Sequence, residues 1–322
     1  MTTLRLSQAA IPDCTGKTVV ITGGSSGIGW EAGRIFASRG ASVFLFDVTP
    51  PKKPQDGDGD GEAGKEELAV DPGRLRPGND GPGGNGTVDV LVANAGVSEE
   101  ADYFADELDP ATGRLREPAY GVIDVNLRGT LNTLKVGLSV MRRNRTAGRV
   151  VITSSATAYS PEHSLPVYSA VKLGLVGLVR ALRSSLPLDD IAINTVAPAA
   201  TLTGLLPPNL AAPIVALGLP TSTAAFVGLA VAHAATARES RQVELYGKDA
   251  DTLLDEDEDE DGEGEHEGDS RPWNGRAILT LGDQYTELEQ GLADLRPAWF
   301  GPRNARLTRM QQKATDFRAP TV

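Results

Sequence analysis

Tyr168 and Lys172 stand four positions apart in Val167-Tyr168-Ser169-Ala170-Val171-Lys172, and the helical apolar spacing continues through Leu173, Leu175, Val176, Leu178, Val179 and Leu182. On a helix such residues share a face, roughly 5–6 Å apart at Cβ. A phenol titrates near pH ~10, too high for a base at neutral pH, and an adjacent ammonium favours the phenolate. The pair can therefore exchange a proton with a bound hydroxyl or carbonyl. Tyr-x-x-x-Lys also arises by chance in many helices, so its meaning depends on what the chain brings around it.

The first surrounding element is a dinucleotide cradle. Lys17-Thr18-Val19-Val20-Ile21 is a β-branched run of the kind found in buried parallel strands. It passes into Thr22, Gly23, Gly24, Ser25, Ser26, Gly27, Ile28 and Gly29, and a helical pattern follows from Trp30 to Arg39. Strand, glycine-rich turn and helix in that order let backbone approach a pyrophosphate and offer it a helix N-terminus. The next strand, Ala41 to Phe46, ends in Asp47, 18 residues beyond Gly29. A carboxylate there accepts from the adenosine ribose hydroxyls and repels a 2′-phosphate, which favours NAD over NADP. Lys52 and Lys53 follow closely and keep NADP as the alternative. The plain alternative for Asp47 is a strand-end carboxylate facing water.

Farther on, the strand Val88–Val92 leads into Ala93, Asn94, Ala95 and Gly96, and a helical pattern over about 117–143 contains Asn126. The strand Arg149–Thr153 delivers Ser154 and Ser155, and Tyr168 follows Ser155 by thirteen residues. Together these motifs resemble the short-chain dehydrogenase/reductase family. The matching residues are Thr22 to Gly29, Asn94 to Gly96, Asn126, Ser155, Tyr168, Lys172 and Pro198 through Thr203, in the family's order over about residues 15–282. Ala93 stands where the family usually has Asn, and Ala199 where it usually has Gly.

The resemblance implies an α/β fold, a single Rossmann-like doubly wound parallel sheet with helices on both faces. It implies that Tyr168 is general acid/base, that Lys172 lowers its pKa and binds the nicotinamide ribose, and that Ser155 holds the substrate oxygen. Asn126 would place a water that continues the proton path. The cofactor site would comprise Thr22, Gly23, Ser25, Ser26, Gly27, Ile28, Gly29, Asp47, Asn94, Ala95, Gly96, Tyr168, Lys172, Pro198, Thr201 and Thr203, with Asp71 on the adenine side. A strand-end cap for Ser155 and a backbone-bonding amide for Asn126 are the plainer alternatives.

Other stretches bound the organisation. Residues 50–86 hold six Pro and ten Gly in 37 positions, where a doubly wound fold wants helix, strand and helix. This is either a loop-rich excursion or miscalled coding sequence. Only Glu66 to Asp71 within it looks strand-like. Of the net charge of −12, eleven carboxylates lie in 255–269, so the rest is near neutral and that tract, within a loop at 249–270, reads as solvated. Segment 203–219 is apolar and uncharged, either a lid that favours a hydrophobic substrate or a packing helix. Helix is expected over Pro220–Ala235 and a last strand over Gly275–Leu281, followed by an extension at 283–322. Trp273, Trp299 and Phe300 are expected to pin that tail across the body.

One cysteine, Cys14, suits a reducing compartment, and His163, His233 and His266 lie far apart, so no metal site is expected. No basic patch suggests nucleic acid, and no apolar run is long enough to span a membrane. A cytoplasmic location is expected. Val136, Leu138 and Val140, with Leu175, Leu178 and Val179, spread around more than one helical stripe, so a homodimer or homotetramer is expected. The reading is one domain, 1–322, interconverting a secondary alcohol and a ketone with NAD(H), on a hydrophobic small molecule. The resemblance extends to fungal members acting on polyketides, terpenoids or hydroxy-lipids. Its alternatives are a non-catalytic NAD-binding protein and an NADPH-dependent ketoreductase.

Overall fold

The strands of the central sheet carry apolar side chains to both faces, as strands covered on two sides must. In the computed structural model, which describes residues 2–50, 86–100, 102–206, 208–239, 241, 243, 244 and 270–317, β1 is Thr2–Leu4, β2 Thr18–Thr22, β3 Ser42–Phe46, β4 Val90–Ala93, β5 Arg149–Thr153 and β6 Ala192–Pro198. Val19, Ile21, Val90, Val92 and Val151 face one core, while Val20, Leu91, Val150 and Ile152 face the other. That alternation is the period of two of an extended chain. Helix α1 (Gly27–Ser38) covers the first face with Ala32, Ile35 and Phe36. On the second face lie α2 (Thr130–Asn144), through Leu134, Leu138 and Met141, and α3 (Pro166–Leu182), through Leu175 and Val179.

Beyond β6 the chain adds two short strands, β7 (Thr201–Leu202) and β8 (Ser222–Thr223), paired side by side, with α4 (Pro208–Ala216) between them. Helix α5 (Ala224–Thr236) then packs on the α1 side through Val227, Ala230, Val231 and Ala234. Residues Arg238–Glu239 form β9 and Arg271–Pro272 form β10, an antiparallel pair. The last strands are β11 (Ala277–Leu281) and β12 (Gln284–Glu287). The eight-stranded sheet runs β1-β12-β11-β6-β5-β4-β2-β3. It is parallel from β3 to β11 and antiparallel across β12 and β1. The order turns back at β2, with β3 on one side and β4 on the other, and this is where open α/β sheets bind ligands.

Several expectations are adjusted. The helix read over 117–143 begins later, and its first part, Ile123–Gly129, is π-helical. The helix read over Pro220–Ala235 starts at Ala224, because Ser222 and Thr223 pair with β7 and Thr223 caps the helix by accepting the Phe226 N–H. Helix α4 does not pack into the core: Val215, Leu217 and Leu219 on and just after it are exposed. The packing-helix alternative for 203–219 therefore fails. Asp71, the rest of 51–85 and the acidic tract lie outside the described residues.

The tail is held differently from expectation. Trp273 is buried against His233, but Trp299 and Phe300 are exposed, so they do not pin it. Buried ion pairs do. Glu289, at the start of the helix Glu289–Asp294, accepts from Arg180 of α3 at 2.7 and 2.8 Å and from the Tyr159 hydroxyl at 2.8 Å. Arg183, also just after α3, pairs with Glu244 at 2.7 Å, and Arg296 of the tail pairs with the same carboxylate. Among the described residues no helix is long and apolar enough to cross a membrane.

Candidate active site

The carboxyl ends of β2, β4, β5 and β6 deliver Thr22, Ala93, Thr153 and Pro198 to one edge of the sheet. After β2, the turn Gly23–Ser26 runs into the N-terminus of α1 at Gly27. A β-carbon at Gly29 would overlap the Gly23 carbonyl oxygen, and one at Gly23 would lie 2.8 Å from Ala95 Cα. Only glycine permits this closeness, and Gly23 and Gly27 both take positive φ, 65° and 53°. Thr22 Oγ1 accepts the N–H groups of Asn94 (3.1 Å) and Ala95 (3.2 Å), while Asn94 Nδ2 donates to the carbonyls of Thr22 and Gly23. The two loops that flank the switch point are thus stitched into one wall.

A nicotinamide dinucleotide fits this wall. Ser25 Oγ is buried and has no hydrogen-bond partner, a hydroxyl suited to a phosphate or ribose oxygen. The N-terminal N–H groups of α1 have no side-chain cap from Ser26, which leaves them for an anion. Thr203 reaches over the turn, its Cγ2 being 3.3 Å from the place of a β-carbon on Gly27. Thr201 is buried, and its hydroxyl donates to the Ala199 carbonyl. Asp47 Oδ2 accepts the Ser25 N–H at 3.0 Å, and Oδ1 accepts from Thr49. Burial alone would raise the Asp47 pKa, but hydrogen bonds from the backbone of Ser25, Thr49 and Val48 outweigh it and hold it below its usual value. It is an anion at neutral pH, with lone pairs left for ribose hydroxyls.

The proton-transfer groups gather beside this cradle. Ser155 lies beside the Tyr168 hydroxyl, and its Oγ accepts the Thr157 N–H (3.2 Å) and donates to the Pro198 carbonyl (3.4 Å). Lys172 Nζ donates to the Thr153 carbonyl at 2.9 Å and sits 5.4 Å from the centroid of the Tyr168 ring. An ammonium has three donors, so two remain for a ribose and a water. Lys172 is 3% exposed, and burial draws its pKa down to about 8.

Two expectations change here. Burial raises the Tyr168 pKa above its ordinary value, against the hydrogen bond from Ser155, and Lys172 is not what sets it. The cost of burying a phenolate exceeds the pull of Ser155. Asn126 is fully buried in the π-helical turn, and its amide is spent on Val97: Oδ1 accepts the Val97 N–H at 2.8 Å and Nδ2 donates to its carbonyl at 2.9 Å. If Asn126 places a water, its backbone carbonyl, which accepts the Thr130 hydroxyl at 2.8 Å, would do so rather than its amide. Such π-turns often occur at functional sites. His163 lies on the surface beside Glu162.

Spacing gives no sign of two further residues at the site. Thr153 donates its hydroxyl to Asn94 Oδ1 at 3.0 Å as well as offering its carbonyl to Lys172. Glu99 is buried, and its carboxylate accepts the Tyr168 N–H. The Thr153–Asn94 and Glu99–Tyr168 contacts span 59 and 69 positions, beyond the reach of any local pattern.

Comparison with known proteins decides the family. A short-chain dehydrogenase/reductase of Penicillium roqueforti is 50% identical over 318 residues, covering 99% of this chain and 90% of the relative. The chain belongs to the short-chain dehydrogenase/reductase family. A member from Stachybotrys chlorohalonatus is 39% identical over 332 residues, 99% of this chain and 95% of its own. The family profile described as short chain dehydrogenase matches residues 83–212. The fold is likewise that of the carveol dehydrogenase of Mycobacterium avium solved in complex with NAD, at 22% identity and a TM-score of 0.53 over 70% of this chain and 92% of that one. As a short-chain dehydrogenase/reductase, the protein is an NAD(P)-dependent oxidoreductase acting on CH–OH groups.

Proposed function

We propose that this dehydrogenase interconverts a secondary alcohol and its ketone on a hydrophobic small molecule, with NAD(H) as cofactor. The observation that carries the reading is the Tyr168 hydroxyl beside Ser155, with the buried Lys172 ammonium 5.4 Å from the centre of its ring, next to the glycine cradle. The cofactor, held by Thr22 to Gly29, Asp47, Asn94 to Gly96 and Thr201 to Thr203, supplies the hydride acceptor or donor. Ser155 holds the substrate oxygen, Tyr168 takes or returns its proton, and Lys172 continues the proton path towards a water that the Asn126 carbonyl would hold. The exposed apolar segment around Leu202, Leu205, Val215 and Leu217 supports a hydrophobic substrate that it would cover. The fungal relatives support a place in secondary metabolism. The test is a fluorescence titration with NADH and NADPH, then a panel of cyclic secondary alcohols and ketones of graded size. Binding without any turnover across the panel would leave the non-catalytic alternative.

The NAD preference rests on Asp47. Asp47→Ala is expected to lower the ratio of kcat/KM for NAD over NADP by about tenfold or more, because a carboxylate that repels a 2′-phosphate is gone. Measuring both cofactors in parent and variant decides it, and a parent that already prefers NADP would refute the assignment.

We also propose a homodimer or homotetramer, with a changed set of contact residues. Leu138, Leu175 and Val179 belong to the core, and Leu178 and Val140 pack against it. The outward apolar positions are Val136 at 54% exposure, Leu173 at 48% and Leu131 at 43%. A helix apolar on two faces needs a second cover. Light scattering at micromolar concentration is expected to give at least twice the chain mass of 33.8 kDa, and an active monomer would overturn the proposal.

A further inference from the structure

The proton chemistry above makes no use of Glu99, yet this carboxylate is 8% exposed and touches the catalytic helix. Its Oε2 accepts the backbone N–H of Tyr168 at 2.7 Å, across 69 positions of sequence. Tyr168 is the third residue of α3, so its N–H is one of those a helix leaves without an intrahelical partner. The chain provides no cap of its own there. Leu165, which precedes the helix, makes no side-chain hydrogen bond to it, and Pro166 has no N–H to offer. A carboxylate in this place meets both a free donor and the positive end of the helix dipole.

The segment that carries Glu99 is itself fixed at two points. Asn94 is bonded to Thr22 and Gly23 of the cofactor turn, and Val97 exchanges two hydrogen bonds with the Asn126 amide. Glu99 stands at the end of this stapled run, where it meets α3. We propose that Glu99 is a positioning residue for Tyr168: it is the cap that α3 lacks in its own sequence, and it holds the first turn so that the phenol stays against Ser155. The first turn is where helices fray. Lys172, one turn later, is fixed independently by its burial and by the Thr153 carbonyl. Loosening the cap would therefore move Tyr168 relative to Lys172 and Ser155, and small displacements of a reacting group are costly in rate. This rests on Tyr168 being the proton-exchanging group.

The test compares Glu99→Gln, which keeps an acceptor oxygen, with Glu99→Met, which keeps the bulk and loses the acceptor. Three quantities are read: kcat per NADH-binding site with a panel alcohol, the NADH dissociation constant, and backbone amide exchange over α3. Glu99→Gln is expected to keep kcat within about threefold. Glu99→Met is expected to lose at least about tenfold in kcat, with NADH affinity within about twofold, and to exchange faster at residues 167–170 while β5 and β6 stay protected. Unchanged kcat and exchange in Glu99→Met would overturn the proposal. So would equal losses in both variants, because the amide retains the acceptor. Amide exchange needs no turnover, so it decides the cap even if a fully active Tyr168→Phe protein sinks the acid–base reading.

Discussion

Replacing Tyr168 by Phe is expected to lower kcat by about 10²–10⁴-fold, the usual worth of a positioned acid–base group, and to leave NADH affinity within about twofold. The substitution removes one oxygen and little volume from a half-buried ring, so the α3 packing through Leu175 and Val179 stays. What disappears is the hydroxyl beside Ser155. The pH dependence has a definite sign. Alcohol oxidation needs the phenolate, and burial raises the Tyr168 pKa. The kcat/KM for oxidation is therefore expected to climb as pH rises into the alkaline range, and that for ketone reduction to fall over the same range. A parent profile flat across that range, or a Phe variant with the parent's turnover, would remove Tyr168 from the mechanism.

The second large effect is one of stability. Glu289→Leu is expected to destabilise the protein by about 3 kcal/mol, the lower end of the range for breaking a buried ion pair from one side. Glu289 is 3% exposed and accepts twice from Arg180 and once from Tyr159, with Arg183 Nη1 3.6 Å away. Removing it strands charge that α3 cannot withdraw. The lower end applies because the Arg180 side chain is 37% exposed and can recover some water, and Arg183 keeps Glu244. The melting temperature should fall by roughly 5–10 °C, and Glu289→Gln by less. Thermal unfolding of parent and both variants checks this, and an unchanged midpoint would mean that the tail does not brace α3. Because Tyr159 follows Ser155 by four positions, the same carboxylate ties the extension to the catalytic edge of the sheet.

The sequence alone determined whatever depends on local periodicity and on residues close along the chain. The β-branched runs ending at Thr22, Thr153 and Pro198, and the four-residue spacing of Tyr168 and Lys172, are of this kind. Strand alternation and helical spacing are written in neighbouring residues, so burial on one face can be read directly. The glycine turn is legible for the same reason, since close backbone approach leaves no room for a β-carbon. Tertiary structure decided the rest. Strands β1 and β12 carry no strong β-run, and they exist because the edge of β11 offers β12 a ladder and β12 in turn offers one to β1. The tail aromatics Trp299 and Phe300 look like anchors by composition, but the ion pairs of Glu289, Arg180, Arg183 and Glu244 hold the tail instead. The amide of Asn126 binds Val97 because a π-turn aims it there, and the N–H of Tyr168 finds Glu99 because two loops meet across the sheet edge. The Tyr168 pKa moves upward because burial, which exists only in the folded chain, outweighs the pull of Ser155.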